Sequence, residues 1–385
     1  MLNREELMTT AKDTTGLDDF GDSSYEEALN RLIKSYNEEA DLSEIGLYVA
    51  RNDLINDLAG RLWVVDGLKK APQALETDIV KPIFILGFPR TGTTTLHNMI
   101  QANPDCQVLE HWLALAPRPR PPRQQWPDIA NYQQVAEALR LQYEANPDLR
   151  AQHDISADSA DECRFVLRQL FLDDSYGYVC NLPSYRQWFE QQPMKAVYEW
   201  HRDVLKLIQH PNDANRRWVL KYPSHLACIK EIFQVYPDAC IIQTHRDPVA
   251  TIPSFTSLVA GAGSTFSNSM DPKSVGQFMA EHWHERVETA MRCRDELQRE
   301  DQFYDVQFDE VLSDPVTSIQ KAFEKFGVKV STLAETNMRT WQQNHPPGRH
   351  GSHSYTAEDF GLDSKALSER FRSYRDKYKV ASLKI

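Results

Sequence analysis

The chain has 385 residues, 41% hydrophobic and 25% charged, with 43 Lys and Arg against 55 Asp and Glu for a net charge of −12. That length suits one α/β core with an added helical region, and the apolar share is enough for a large core. The acidic balance argues against nucleic acid and anionic membrane as partners, so any anion site must be a local concentration of donors.

The first ten residues, MLNREELMTT, lack the apolar stretch of a signal peptide. No run of about 18 apolar residues occurs, so no transmembrane helix is expected. The six cysteines (106, 163, 180, 228, 240 and 293) form no Cys-x-x-Cys pair. Reduced, mostly buried thiols and a cytoplasmic location are the reading.

In chain order, residues 1–80 predict helices. Leu29, Leu32 and Ile33 recur at helical spacing, as do Leu54, Leu58 and Leu62, with Asp53 and Asp57 on the polar side of the second set. We take 1–80 as an N-terminal helical cap and 81–385 as an α/β domain with a helical insertion at about 130–210. KPIFILGF (81–88) predicts a short buried strand, then a tight turn, then a helix through TTTLHNMIQ that stops before Pro104. PRPRPPRQQWP (117–127) predicts an irregular loop, either a lid or a surface connector. RRWVLKYP (216–223) and DACIIQTHRDP (238–248) predict further strands, with the helix HLACIKEIFQVYP between them. QFYDVQFDEVLSDP (302–315) predicts a fourth strand, followed by a helix ending at Gly327. Alternating strands and helices predict a three-layer, P-loop-like α/β fold around a central parallel sheet of four or five strands. Ligands in such sheets bind at the carboxyl ends of the strands.

GFPRTGTTT (87–95) lies between a strand and a helix. Small residues let the backbone approach an anion, and the helix start offers unpaired N–H groups and a favourable dipole. Thr93, Thr94 and Thr95 add hydroxyls, and Arg90 adds a planar donor fork suited to phosphate or sulfate. Gly87 and Gly92 have the spacing of a nucleotide triphosphatase loop, but Thr93 stands where that loop has lysine. No strand ends in an obvious magnesium-holding Asp. An ATP-dependent kinase is therefore disfavoured, while a donor bearing one sulfated 5′ phosphate fits.

PRTGTTTLHNMI (89–100) together with THRDPVATIPSF (244–255) resembles the PAPS-dependent sulfotransferase family, PAPS being 3′-phosphoadenosine 5′-phosphosulfate. The likeness is to a bacterial branch with a PRTGTT loop, and TGLDDFGDSSYEEAL (15–29) and HSYTAEDFGLD (353–363) share it. The resemblance implies a 5′-phosphosulfate loop formed by Arg90, Thr91, Gly92, Thr93 and Thr94. Arg90 falls on a catalytic lysine position of the cytosolic animal enzymes. Thr95 falls where those enzymes stack a tryptophan on adenine. Arg246 and Ser254, eight residues apart, match the family's 3′-phosphate site, and Arg349, His350 and Gly351 in PGRHGSH match the loop closing over it. Gln307 and Phe308 are candidate adenine contacts. Two separated cationic pockets would then grip opposite ends of the nucleotide.

Sulfuryl transfer, like phosphoryl transfer, is an in-line displacement that needs cations for the developing charge and a base for the acceptor. Arg90 and Lys221, the latter at the end of RRWVLKYP, are the cations implied. His153 in HDISADSADEC (153–163) is the first choice of base, with Glu110, His111 and His225 as rivals. Glu162 could orient a neighbour or be a solvated helix residue. HWHER (282–286) and HGSH (350–353) pair histidines without further zinc ligands, so no metal is expected and those histidines should face solvent or phosphate. The aromatics of 175–200 could line an acceptor pocket or pack in the core. The expected function is sulfuryl transfer from PAPS to a hydroxyl or amine of a small molecule, with adenosine 3′,5′-bisphosphate (PAP) as product. A P-loop small-molecule kinase is the alternative, and a nucleotide-binding module without catalysis is a further one. Acceptor and oligomeric state are left open.

Overall fold

A computed structural model describes residues 1–145, 155–212, 215–346 and 355–383. Three helices open the chain: α1 (Arg4–Thr15), α2 (Glu26–Glu38) and α3 (Glu44–Lys70). Asn3 and Ser43 cap α1 and α3 by accepting main-chain N–H groups, and Glu26 and Glu27 favour the positive end of α2. Strand β1 (Ile83–Gly87) leads into α4 (Thr93–Gln101) and the two-residue strand β2 (Cys106–Gln107). A 16-residue helix (Ala130–Ala145) and several shorter ones fill the region to α5 (Lys195–Gln209). Then follow β3 (Arg217–Lys221), α6 (Ile229–Val235), β4 (Cys240–His245), α7 (Pro248–Phe266), α8 (Pro272–Leu297), β5 (Phe303–Gln307), α9 (Pro315–Lys325) and α10 (Thr332–Asn344).

The strands form one parallel sheet in the order β2-β3-β1-β4-β5. Each of the five residues of β1 is buried because both faces are covered. Alternation assigns the faces. Ile83 and Ile85 join Leu96, Val219, Ile242 and Ile319 beneath α4 and α9. Phe84 and Leu86 join the other core, which runs through Ile232 and Val287 into Leu29, Leu54 and Leu58 of the N-terminal helices. The N-terminal helices are thus packed into the sheet's own core. Within 130–212 the described residues hold helices and turns, and α5 covers the sheet directly.

Several local expectations change. β5 ends at Gln307, and Phe308–Ser313 is helical: Gln307 and Glu310 cap each other reciprocally and stop the strand. β2 is too short to leave a periodic pattern. Arg120 and Trp126 of the 117–127 segment are buried and anchor it, while residues 122–125 and 127 are exposed at the surface. All six cysteines are free thiols, four buried and two half-buried.

Asp57 does not face solvent. It is buried, and Arg168 donates to its Oδ2 through Nε at 3.1 Å and Nη2 at 2.9 Å, while the Tyr176 hydroxyl donates at 2.8 Å. Arg168 also reaches the more exposed Asp53 at 3.1 Å. Burial pushes the Asp57 carboxyl up to about 6 against the pull of Arg168. Arg168→Met leaves that carboxylate buried without its cation and should cost about 3–5 kcal/mol in denaturant unfolding at neutral pH. The loss should shrink as pH falls, because Asp57 takes up a proton more readily in the folded than in the unfolded chain.

Candidate active site

The carboxyl ends of β1, β3 and β4 meet around the loop that joins β1 to α4. Gly87 has φ 141° and pairs with Thr244 of β4. A Cβ there would fall 2.5 Å from both the Thr244 carbonyl oxygen and its Oγ1, so only glycine lets the strands stay this close. Gly92, at φ 88°, would drive a Cβ to 2.7 Å from Val311. Between them Arg90 holds the left-handed region at φ 67°, a strained choice for a long side chain. The strain is locked in by neighbours. The Thr91 hydroxyl, fully buried, donates to the Phe88 carbonyl at 2.6 Å and lies 2.6 Å from Thr244 Oγ1. Arg246 Nη1 donates to the Arg90 carbonyl at 2.8 Å.

The loop therefore presents the first turn of α4 outward. Thr93 is buried, while Thr94 and Thr95 are exposed at the helix start. Arg90 is exposed, and its Nε lies 3.4 Å from Ser254 Oγ on α7. Arg246 at the end of β4 stacks its guanidinium 4.0 Å from the Phe308 ring centre. Burial lowers its pKa from the ordinary arginine value, and Tyr355 is near enough to act on its charge. Lys221 at the end of β3 is 2% exposed, with Nζ 2.8 Å from Glu162 Oε1 and 3.4 Å from Thr94 Oγ1. Arg246 and Ser254 each bond to Arg90, and Lys221 bonds to Thr94 at the start of α4, which gathers these residues into a rim at the carboxyl ends of the strands.

A sulfotransferase-family sequence profile matches residues 82–332, spanning β1 to the start of α10. The chain belongs to the sulfotransferase family. Its sequence is 24% identical over 348 residues to the omega-hydroxy-beta-dihydromenaquinone-9 sulfotransferase Stf3 of Mycobacterium bovis, covering 84% of this chain and 81% of that one. Its structure superimposes on the crystal structure of sulfotransferase STF1 from Mycobacterium tuberculosis with a TM-score of 0.89 at 34% identity, covering 97% and 99% of the two chains. Sulfotransferase STF9 from Mycobacterium avium has the same fold, with a TM-score of 0.90 at 24% identity over 99% and 98%. The protein is an enzyme of sulfuryl transfer on the P-loop-like fold. No helix among the described residues is long and apolar enough to cross a membrane.

Other expected residues of the sulfotransferase fall differently. His153, Arg349, His350 and Gly351 lie outside the described residues. Glu110 is buried, and Arg120 donates to its Oε2 at 3.0 Å, so its carboxylate serves an internal ion pair. His111 is fixed by Asp161, Nδ1 to Oδ2 2.6 Å. His225 is wholly buried, with Nδ1 2.6 Å from the Tyr198 hydroxyl, and burial pushes its pKa far below the ordinary value. A neutral core histidine is the result. His97, unremarked in the sequence, is likewise buried, its Nε2 on the Val219 carbonyl at 3.0 Å. Gln307 is a helix cap that donates to the Tyr378 carbonyl at 2.9 Å. His282 is buried rather than solvent-facing, 3.2 Å from the Tyr178 hydroxyl and 3.4 Å from Asp174. Asp247, just past β4, accepts from the Val249 and Leu383 amides at 3.0 and 2.7 Å.

Glu162 is the residue that sequence reasoning left undecided. Its place beside Lys221 depends on Cys163, whose N–H donates to the Lys221 carbonyl at 3.0 Å. Of the aromatics of 175–200, Tyr176, Tyr185 and Tyr198 pack in the core, while Phe189 and Tyr198 also line a cavity of about 340 Å³ beside β3, its walls including Asp173, Asp174, Tyr222, Ser224 and Arg286. The Tyr222 hydroxyl donates to Asp173 at 2.9 Å, and Arg286 pairs with Asp174 at 2.9 Å. Burial and the Asp174 charge push Asp173 up to about 7, while Arg286 and His282 overcome the effect of burial on Asp174 and hold it well below the carboxylate range. Because folding raises the Asp173 pKa, its stability contribution declines as pH rises through about 7. Asp173→Asn removes that decline. Its melting temperature relative to the parent enzyme should move in the variant's favour between about pH 5 and pH 8, and a flat difference would refute the assignment.

Proposed function

We propose that this sulfotransferase takes its sulfuryl group from PAPS and delivers it to a hydroxyl or amine of a small molecule. The observation that carries this reading is the rim itself. Two arginines and a serine from β1–α4, β4 and α7 converge beside a helix start, without the lysine that a nucleoside triphosphate loop needs after its second glycine. One end of that rim suits a 5′-phosphosulfate on the α4 amides and Thr94. The other suits a 3′ phosphate on Arg246 and Ser254, a group ATP lacks. The Phe308 ring, 4.0 Å from the Arg246 guanidinium, supports this cation from one side.

In this mechanism the acceptor oxygen or nitrogen attacks sulfur in line with the bond to the 5′ phosphate. That S–O bond breaks, its electron pair stays on the phosphate oxygen, and PAP leaves. Arg90 stabilises charge on the bridging side, and Lys221 stabilises the equatorial sulfuryl oxygens. The low exposure of Lys221 strengthens its part, since few waters compete for its charge. The name of Stf3 places a hydroxylated dihydromenaquinone among the acceptors worth offering.

The test is a mass-spectrometric screen of alcohols, phenols, amines and sugars with PAPS, scored by the gain of one SO3 unit. Transfer from PAPS supports the reading, and phosphoryl transfer from ATP would replace it with the kinase. Arg246→Ala should weaken PAP by about ten- to a hundredfold in calorimetry, the worth of a lost charged hydrogen bond, and far more than adenosine 5′-monophosphate, which loses only the support that Arg246 gives the Arg90 loop. Equal weakening of both ligands would remove Arg246 from the 3′ phosphate.

A further inference from the structure

The nearest ion-pair partner of the buried cation Lys221 is itself anionic. Glu162 Oε1 lies 2.8 Å from Lys221 Nζ, and the same ammonium reaches Thr94 in the first turn of α4 at 3.4 Å. An anion at that helix start must share Lys221 with a carboxylate already in place. Glu162 is not a loose surface group. The Glu162 N–H donates to Asp161 Oδ1 at 2.6 Å, the Asp161 N–H donates to the Leu109 carbonyl at 2.8 Å, and the Cys163 N–H donates to the Lys221 carbonyl at 3.0 Å. Two main-chain bonds therefore hold the backbone on either side of Glu162, one to Leu109 just past β2 and one to Lys221 at the end of β3. The side chain is 21% exposed, so Glu162 is not sealed in. Arg164, with Nε 3.8 Å from Oε2, is the other cation within reach.

We propose that Glu162 is the proton acceptor for the incoming nucleophile, held on Lys221 until the donor's sulfuryl group draws the ammonium away. This rests on the PAPS reading above. Sulfuryl oxygens arriving at α4 compete for Lys221. The ammonium exchanges one anionic partner for another, and Oε1 loses its hydrogen bond. The freed carboxylate then stands beside the sulfuryl group on the side of β3. As the acceptor's O–S or N–S bond forms, its proton passes to Glu162, while the S–O bond to the 5′ phosphate breaks and its electron pair leaves with PAP. Donor binding thus prepares the base in the same step that places the sulfuryl group.

The arrangement makes opposite demands on binding and turnover, and this separates it from a structural role. In Glu162→Gln, Lys221 no longer has to leave an anion, so PAPS should bind about threefold or more tightly, whereas PAP, without a sulfuryl group, should stay within about twofold. PAP formation from PAPS with the acceptor pool of the mass screen should fall by about a hundredfold or more. In Lys221→Met the Glu162→Gln substitution should no longer tighten PAPS. Unchanged PAPS affinity in Glu162→Gln, or transfer within about tenfold of the parent enzyme, would overturn the proposal while leaving the PAPS reading intact. A parent enzyme that fails to bind PAPS would overturn both. Unaltered PAP affinity in the variant certifies that its nucleotide site is folded.

Discussion

The site depends on how closely β1 and β4 approach at their carboxyl ends. Gly87 sits against the Thr244 carbonyl where any Cβ would collide, and the Thr91 and Thr244 hydroxyls meet across the same gap. That contact forces the chain to turn sharply, which sends Arg90 into the left-handed region and aims the start of α4 at the space above the sheet. Arg246 then closes the arrangement by binding the Arg90 carbonyl. One cation thus supports the loop that carries the other. The proposed anion cradle is pre-formed, so binding of the donor would not have to supply the cost of the strained backbone.

Charge in this acidic chain is managed locally. Lys221 is almost fully covered yet stays paired through Glu162, and Arg246 rests on an aromatic face rather than in water. Each cation is weakly hydrated and therefore felt strongly by a nearby anion. The overall charge of −12 is compatible with the proposed anionic donor, because the nearest cations outweigh distant carboxylates screened by solvent.

The same chain buries two further polar seams away from the loop. Asp57, Arg168 and Tyr176 join α3 to the segment before α5, and Asp174, Arg286 and His282 join that segment to α8. Such seams add little net stability but penalise every arrangement in which one partner is missing. Both involve residues of the 164–190 region, which has only short helices and needs specific partners to hold one geometry.

The glycine spacing of 87–92 and the missing lysine at Thr93 were legible in the sequence, because backbone clearance and strand-to-helix turns are local requirements. So were four of the five strands, each an apolar run. The outward-facing reading of Asp57 and His282 failed because helical spacing reports which residues share a face, not which face finds a buried partner on another element. Only the packed chain could set Glu162 on Lys221, Arg90 on Ser254 and Glu110 on Arg120. Each of these pairs joins residues from different segments, and their geometry follows from strand order and main-chain anchors that no spacing along the chain encodes.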